Sequence, residues 1–171
     1  MQIQTVLKIG AALCVAFFGI EAARTSLQAP KPVRPPPAQV LVQSPVQTPT
    51  DKAAFGFEGY QIKPLAQFTV RARVLAREDY QMDKEADLSP MDLALGWKQM
   101  ADPAVYRPLN ITQGGRWYRY RWRDQPPIPA GEIVRSSANM HIVPANDAVA
   151  AALGRVEAGQ RLRIDGWLVR I

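Results

Sequence analysis

The chain has 171 residues, with 21 Lys and Arg against 15 Asp and Glu, a formal net charge of +6, one histidine and one cysteine. That length accommodates one domain and a tail, and a single cysteine excludes an intrachain disulfide and a cysteine-built metal site. The net charge does not mark a polyanion-binding domain: residues 1–54 hold five basic and two acidic groups and residues 55–171 sixteen and thirteen, so the part expected to fold has a nearly balanced surface.

The amino terminus sets the expected location. Lys8 precedes an uncharged apolar run from Ile9 to Ile20, the pattern of a secretory signal or a signal anchor. Counting its apolar flanks, residues 6–23 approach the length needed to cross a bilayer, and Ile20-Glu21-Ala22 is a poor cleavage site. Residues 1–24 are therefore expected to form an N-terminal hydrophobic helix in the inner membrane, single-pass, with the C-terminal domain in the periplasm; a soluble periplasmic protein after signal cleavage is the alternative. Cys14 lies within the run and follows Leu13 rather than the small residue that lipidation requires, so it reads as a membrane-helix residue.

Residues 25–54 contain seven prolines and no glycine. Too few backbone donors remain for a helix or sheet, so this segment is expected to be an extended, disordered linker holding the folded part, 55–171, off the membrane. In QFTVRARVLARE, Phe68, Val70, Ala72 and Val74 alternate with Thr69, Arg71 and Arg73, predicting a half-buried antiparallel strand. REDYQMDKEAD reads as a loop. LSPMDLALGW then carries a helix-start pattern: Ser89 as cap, Pro90 at the first position, Asp92 three residues after the cap and Gly96 as the stop. A smaller capped turn is expected at Asp102–Tyr106.

GGRWYRYRWRDQPP interleaves four arginines with four aromatics. The glycine pair predicts a hairpin turn. With a period of two, Tyr118, Tyr120 and Trp122 face a core while Trp117, Arg119, Arg121 and Arg123 face solvent. A single-stranded nucleic-acid platform needs the aromatics exposed beside the cations, so nucleic acid is disfavoured as a partner. Arg71, Arg73, Trp117, Arg119 and Arg121 remain as a candidate anion- or partner-binding surface. Farther on, Asn146 or Asp147 caps a helix over 148–153 that Gly154 closes. Leu162, Ile164 and Leu168 or Val169 follow with strand spacing, and Asp165-Gly166 is read as a hairpin turn or Gly166 as a bulge.

His141, the lone histidine, shares a strand face with Ser137 and Asn139, an arrangement open to general-base chemistry. Ser137 and His141 stand about 13 Å apart on an extended strand, too far for a direct bond. No zinc-ligand spacing is present. The plainer reading of His141 and Asn139 is that they satisfy backbone groups; the sharper one makes them weak catalytic candidates, with Asp92 or Asp102 brought in from elsewhere.

LSPMDLALGW, GGRWYRYRW, SSANMHIVPA and VEAGQRLRIDGWLV, in that order, resemble an uncharacterised family of bacterial proteins with an N-terminal hydrophobic segment, over about residues 60–171. The resemblance implies no activity, cofactor or metal. Relatives continue into a tail containing serine, aspartate and cysteine, whereas this chain ends at Ile171, which raises the expectation of a shortened product. The fold expected is α+β: a small, mainly antiparallel sheet or a partly closed, OB-like barrel with two or three short helices. The function expected is a non-catalytic binding or accessory component of the cell envelope, with an envelope protein or an anionic polymer as partner. The alternatives are an envelope hydrolase using Asn139 and His141 with a carboxylate, and an OB-like binder of anionic polymers.

Overall fold

The computed structural model describes residues 15–17 (backbone only), 43–82 and 84–171. The expected membrane helix and most of the linker thus lie outside the described residues, and among those described no helix is long and apolar enough to cross a membrane. The described part is a small α+β fold with a mostly antiparallel sheet and few helices.

The hub is a strand of 20 residues. In chain order the first strands are β1 (Val15–Phe17), β2 (Val46–Pro49), β3 (Phe55–Phe57), β4 (Tyr60–Asp79) and β5 (Met91–Gly96). A turn of 3-10 helix (Lys98–Ala101) and α1 (Pro103–Tyr106) lead to the hairpin β6 (Thr112–Gly114) and β7 (Trp117–Arg119). Then come α2 (Ala130–Arg135), β8 (Ser137–Val143), α3 (Asp147–Leu153) and β9 (Arg161–Arg170). The main sheet is ordered β2-β4-β5-β8-β1-β9, with β3 on β4 and a further ladder between β4 and β9. Among the described residues only the β1–β8 pair is parallel.

The alternation read along β4 holds: Phe68, Val70, Ala72 and Val74 are buried, and they join Leu93, Leu95, Met140, Ile142 and Ile164 in the main core. Leu75 lies on the opposite face by alternation, and a register shift between Val74 and Ala76 brings Ala76 to that face beside it. There Leu75 joins a second core of Ala94, Met100, Tyr106, Leu109, Tyr118, Tyr120 and Ile133. The segment between β5 and β8 thus folds as a lid over the outer face of those two strands.

Three expectations are corrected. MDLALG is a strand, buried at every position, and no helix begins at Ser89. The capping pattern is outweighed by position: β5 lies between β4 and β8, so both of its faces meet apolar neighbours and a two-sided strand buries more than a helix would. The stretch Val46–Pro49, expected in the spacer, pairs as an exposed edge strand with Ala66–Thr69. An edge needs donors from one side only, so its closing proline is tolerated there. Gly166 neither turns a hairpin nor bulges β9; it pairs with Phe68, and the irregularity lies on β4 between Pro64 and Ala66, opposite Val169 and Leu168.

The helix ends follow the expected chemistry. Asp102 accepts a hydrogen bond from the Ala104 N–H at 2.9 Å and caps α1; the Asn146 side chain accepts from the Val149 N–H at 3.0 Å and caps α3, which Gly154 ends. Arg77 fixes α3 to the sheet by donating to the Leu153 and Val156 carbonyls at 3.0 and 2.6 Å.

Candidate functional site

Three residues named from the sequence meet beneath the lid. Asp92 on β5 stands opposite His141 on β8, and Ala94 opposite Asn139, so the small alanine leaves space for the amide to lean toward the carboxylate. The Asp92 side chain is 0% exposed and that of His141 6%. His141 Nδ1 lies 2.7 Å from Asp92 Oδ1, and the Asn139 amide donates to Oδ2 at 3.0 Å. Gln113 of β6 donates in turn to Asn139 Oδ1 at 2.7 Å.

The fourth member was not anticipated. Gly115 and Arg116 form the two-residue turn between β6 and β7, both at positive φ, 57° and 66°. A primed hairpin turn requires that of both central residues. Glycine accepts it; arginine is strained there. What holds Arg116 is its surroundings. Its N–H donates to Tyr80 Oη at 3.0 Å, its guanidinium lies 3.8 Å from the Tyr80 ring centroid, and Nη1 donates to the Ser89 carbonyl at 2.8 Å and to Asp92 Oδ1 at 3.1 Å. The sequence does carry the glycine pair that announces the turn, but nothing in it marks the arginine as the inward-pointing residue.

Asp92 therefore accepts from an imidazole, a guanidinium and an amide. These bonds orient both the carboxylate and the imidazole, whose Nδ1 faces Asp92. No hydrogen bond to Nε2 is made among the described residues. Ser137, on the same strand face, is engaged elsewhere: its hydroxyl donates to the Ile133 carbonyl at 2.7 Å. Asp102 is occupied as the α1 cap and does not join the cluster. Among the described residues no group of three or more His, Cys, Asp or Glu is placed to hold a metal.

The candidate contact surface divides into two. Arg71 and Arg73 lie on β4, the former exposed. Arg73 is half-buried, donating to the carbonyls of Ala101 and Gly159, both at 2.6 Å, with Tyr106 beneath it. It is a bracket for two loops. Trp117, Arg119 and Arg121 lie on and beyond β7. There Tyr118 and Tyr120 are buried and Trp122 half-buried, while Arg119, Arg121 and Arg123 are exposed. The period of two thus persists past the end of the ladder, and the three rings pack together, Tyr118–Tyr120 tilted at 5.5 Å and Tyr120–Trp122 stacked at 6.2 Å.

Burial raises the phenol pKa of Tyr80, Tyr118 and Tyr120 above the ordinary value, most strongly for Tyr118. Each phenol is kept neutral in the folded state where the unfolded chain would ionise it. The stability that these neutral phenols confer is complete below about pH 10, the unfolded value, and declines as pH climbs from there through the raised folded values. Alkaline titration followed by phenolate absorbance and by circular dichroism is expected to show the last tyrosines ionising together with unfolding; all five titrating before any loss of structure would contradict this.

Compared with family models, with curated proteins and with solved structures, the chain matches none of them.

Proposed function

We propose that this chain is a membrane-tethered, exported binding domain of the bacterial envelope, without catalytic activity, that meets a partner through the outer side of its β6–β7 hairpin. Residues 6–23 act as the inner-membrane anchor, the Pro-rich stretch as the tether, and the OB-like domain stands in the periplasm. The observation that carries this reading is how Asp92 is used. His141, Arg116 and Asn139 all converge on its carboxylate, and the result is to clamp a strained hairpin tip onto the sheet. A hairpin held this rigidly offers Trp117, Arg119 and Arg121 as a preorganised surface, which lowers the ordering cost of association.

Two measurements test it. A reporter active only outside the cytoplasm, fused after residue 171, is expected to be active in the full chain and inactive when residues 6–23 are deleted. A photo-crosslinking residue at position 121 is expected to give one discrete product in cells, lost with Arg119→Glu. An inactive reporter overturns the location, and a crosslinker that gives nothing overturns the hairpin surface. A hydrolase reading draws on the same trio, favoured by the 2.7 Å contact between His141 and Asp92. It requires that His141→Gln, which keeps a polar side chain, abolish function while the crosslink at 121 persists.

A further inference from the structure

The balanced charge of the folded part conceals a local excess. β4 and β9 pair antiparallel, and the side chains of one outer face read, pair by pair, Gln67 with Trp167, Thr69 with Asp165, Arg71 with Arg163 and Arg73 with Arg161. Four guanidiniums and one carboxylate give this face a net +3, as much as the sixteen cations and thirteen anions of residues 55–171 leave over the whole folded part.

Like charges directly opposite each other on paired strands are destabilising, yet two such pairs are adjacent here. The one carboxylate is already engaged: Asp165 takes Arg163 Nε at 2.7 Å and the Thr69 hydroxyl at 2.9 Å. Burial works against its charge, but the bonds from Arg163 and Thr69 and the fields of Arg163 and Arg71 outweigh it and leave its pKa lowered. Arg73 donates to neutral carbonyls, which orient the guanidinium without cancelling its charge. At the far end, Lys52 Nζ lies 3.9 Å from the Trp167 ring centroid. It covers that ring with a cation and adds another positive charge to the row.

We infer that this β4–β9 face is a binding site for a linear phosphate polymer, diester or anhydride, read through its phosphates rather than through any base or sugar. The shape argues for a line of anions. Taken from Arg73 and Arg161 to Lys52 over Trp167, the row is two strands wide, roughly 5 Å, and seven residues long, roughly 20 Å, which suits a chain better than a planar lipid surface. Paired guanidiniums match phosphate oxygens bidentately. Trp167, the one aromatic in the row, has a face covered by Lys52, so stacking on bases is not expected to contribute. The inference is independent of the hairpin surface, since none of these residues belongs to it; of the stretch expected as the tether it uses Lys52 alone.

The test uses the full chain in detergent, with fluorescently labelled oligothymidylate, a glycerol-phosphate polymer and linear polyphosphate as probes. All three are expected to bind with similar affinity and to weaken with salt, with a log–log slope of about −2 for oligothymidylate, as three phosphates on a single strand would give. Arg71→Glu with Arg163→Glu is expected to weaken every probe by about tenfold or more. Lys63→Glu with Arg170→Glu reverses a like-charged pair elsewhere on the same strands and is expected to change binding by less than about threefold. Should the first reversal fail to fold, Arg71→Gln with Arg163→Gln removes the same charges without adding new ones. Equal damage from both reversals, or oligothymidylate binding where the two base-free polymers do not, overturns the proposal. So does a stronger dependence on Arg71 and Arg163 for anionic phospholipid vesicles than for the polymers.

Discussion

Asp92→Ala is expected to destabilise the fold by about 3–5 kcal/mol, the cost of removing one partner from a buried ion pair, and to lower the melting temperature by roughly 10–20 °C for a domain of this size. The magnitude comes from what stays behind rather than from the bonds lost. Arg116, whose side chain is 14% exposed, would lose the buried carboxylate at its Nη1 and keep the exposed Glu85, 4.0 Å from its Nε. The His141 ring would lose the partner of its Nδ1, and Asn139 one of its acceptors. Arg116 itself stands at φ 66°, so the contacts that hold it against backbone strain would weaken at the same point.

The pattern across variants separates a clamp from a catalytic base. Asp92→Asn keeps the shape and is expected to fall between the native protein and Asp92→Ala. Arg116→Ala in the Asp92→Ala background is expected to cost little more than Asp92→Ala alone, because the charge that made the first change expensive has gone; a coupling of about 1–3 kcal/mol is the size found between direct partners. Thermal melts of the four proteins measure it. Simple additivity would mean that Arg116 does not act through Asp92.

The sequence made some of this legible and hid the rest, for physical reasons. The β4 alternation, the inward rings of Tyr118 and Tyr120, and the caps at Asp102 and Asn146 are local: each follows from spacing or side-chain chemistry within a few residues. The β5 strand was misread because its periodicity depends on neighbours. A strand covered on both faces loses the alternation that would identify it, and Ser89-Pro90 then gives a cap pattern with no helix behind it. Asp92, Asn139 and His141 could be named as residue types, but their meeting depends on the register Asp92 to His141, a pairing across 49 positions. Arg116 was given no face, because a period of two does not carry into a turn, and its inward position follows from the positive φ there. The β4–β9 row was half visible. Arg161, Arg163, Asp165 and Trp167 share one face by simple alternation, but only the β9–β4 register sets them against Arg71 and Arg73.

Gly96→Ala is expected to be nearly as damaging as a buried charge, at about 3 kcal/mol, although it adds one methyl group. A Cβ built at Gly96 meets the Met100 carbonyl oxygen at 2.6 Å, Leu75 Cδ2 at 2.9 Å and the Met100 carbonyl carbon at 3.0 Å. Leucine can swing away; the Met100 backbone cannot. It belongs to the 3-10 turn at Lys98–Ala101, whose Met100 N–H donates to the Trp97 carbonyl, while the Trp97 N–H donates to the Ser136 carbonyl at 2.9 Å. Gly96 is also fixed from both sides, by Arg73 on β4 and Ser137 on β8. Relief would have to come from shifting the turn, and with it the Ala101 carbonyl that Arg73 holds. Overpacking of a rigid site typically costs about 1–3 kcal/mol, and the upper end applies where backbone must move. Denaturant unfolding should therefore give a lower midpoint with an unchanged slope. A change below about 0.5 kcal/mol would mean that the turn yields easily, and that the strand could have ended at Gly96 without a glycine.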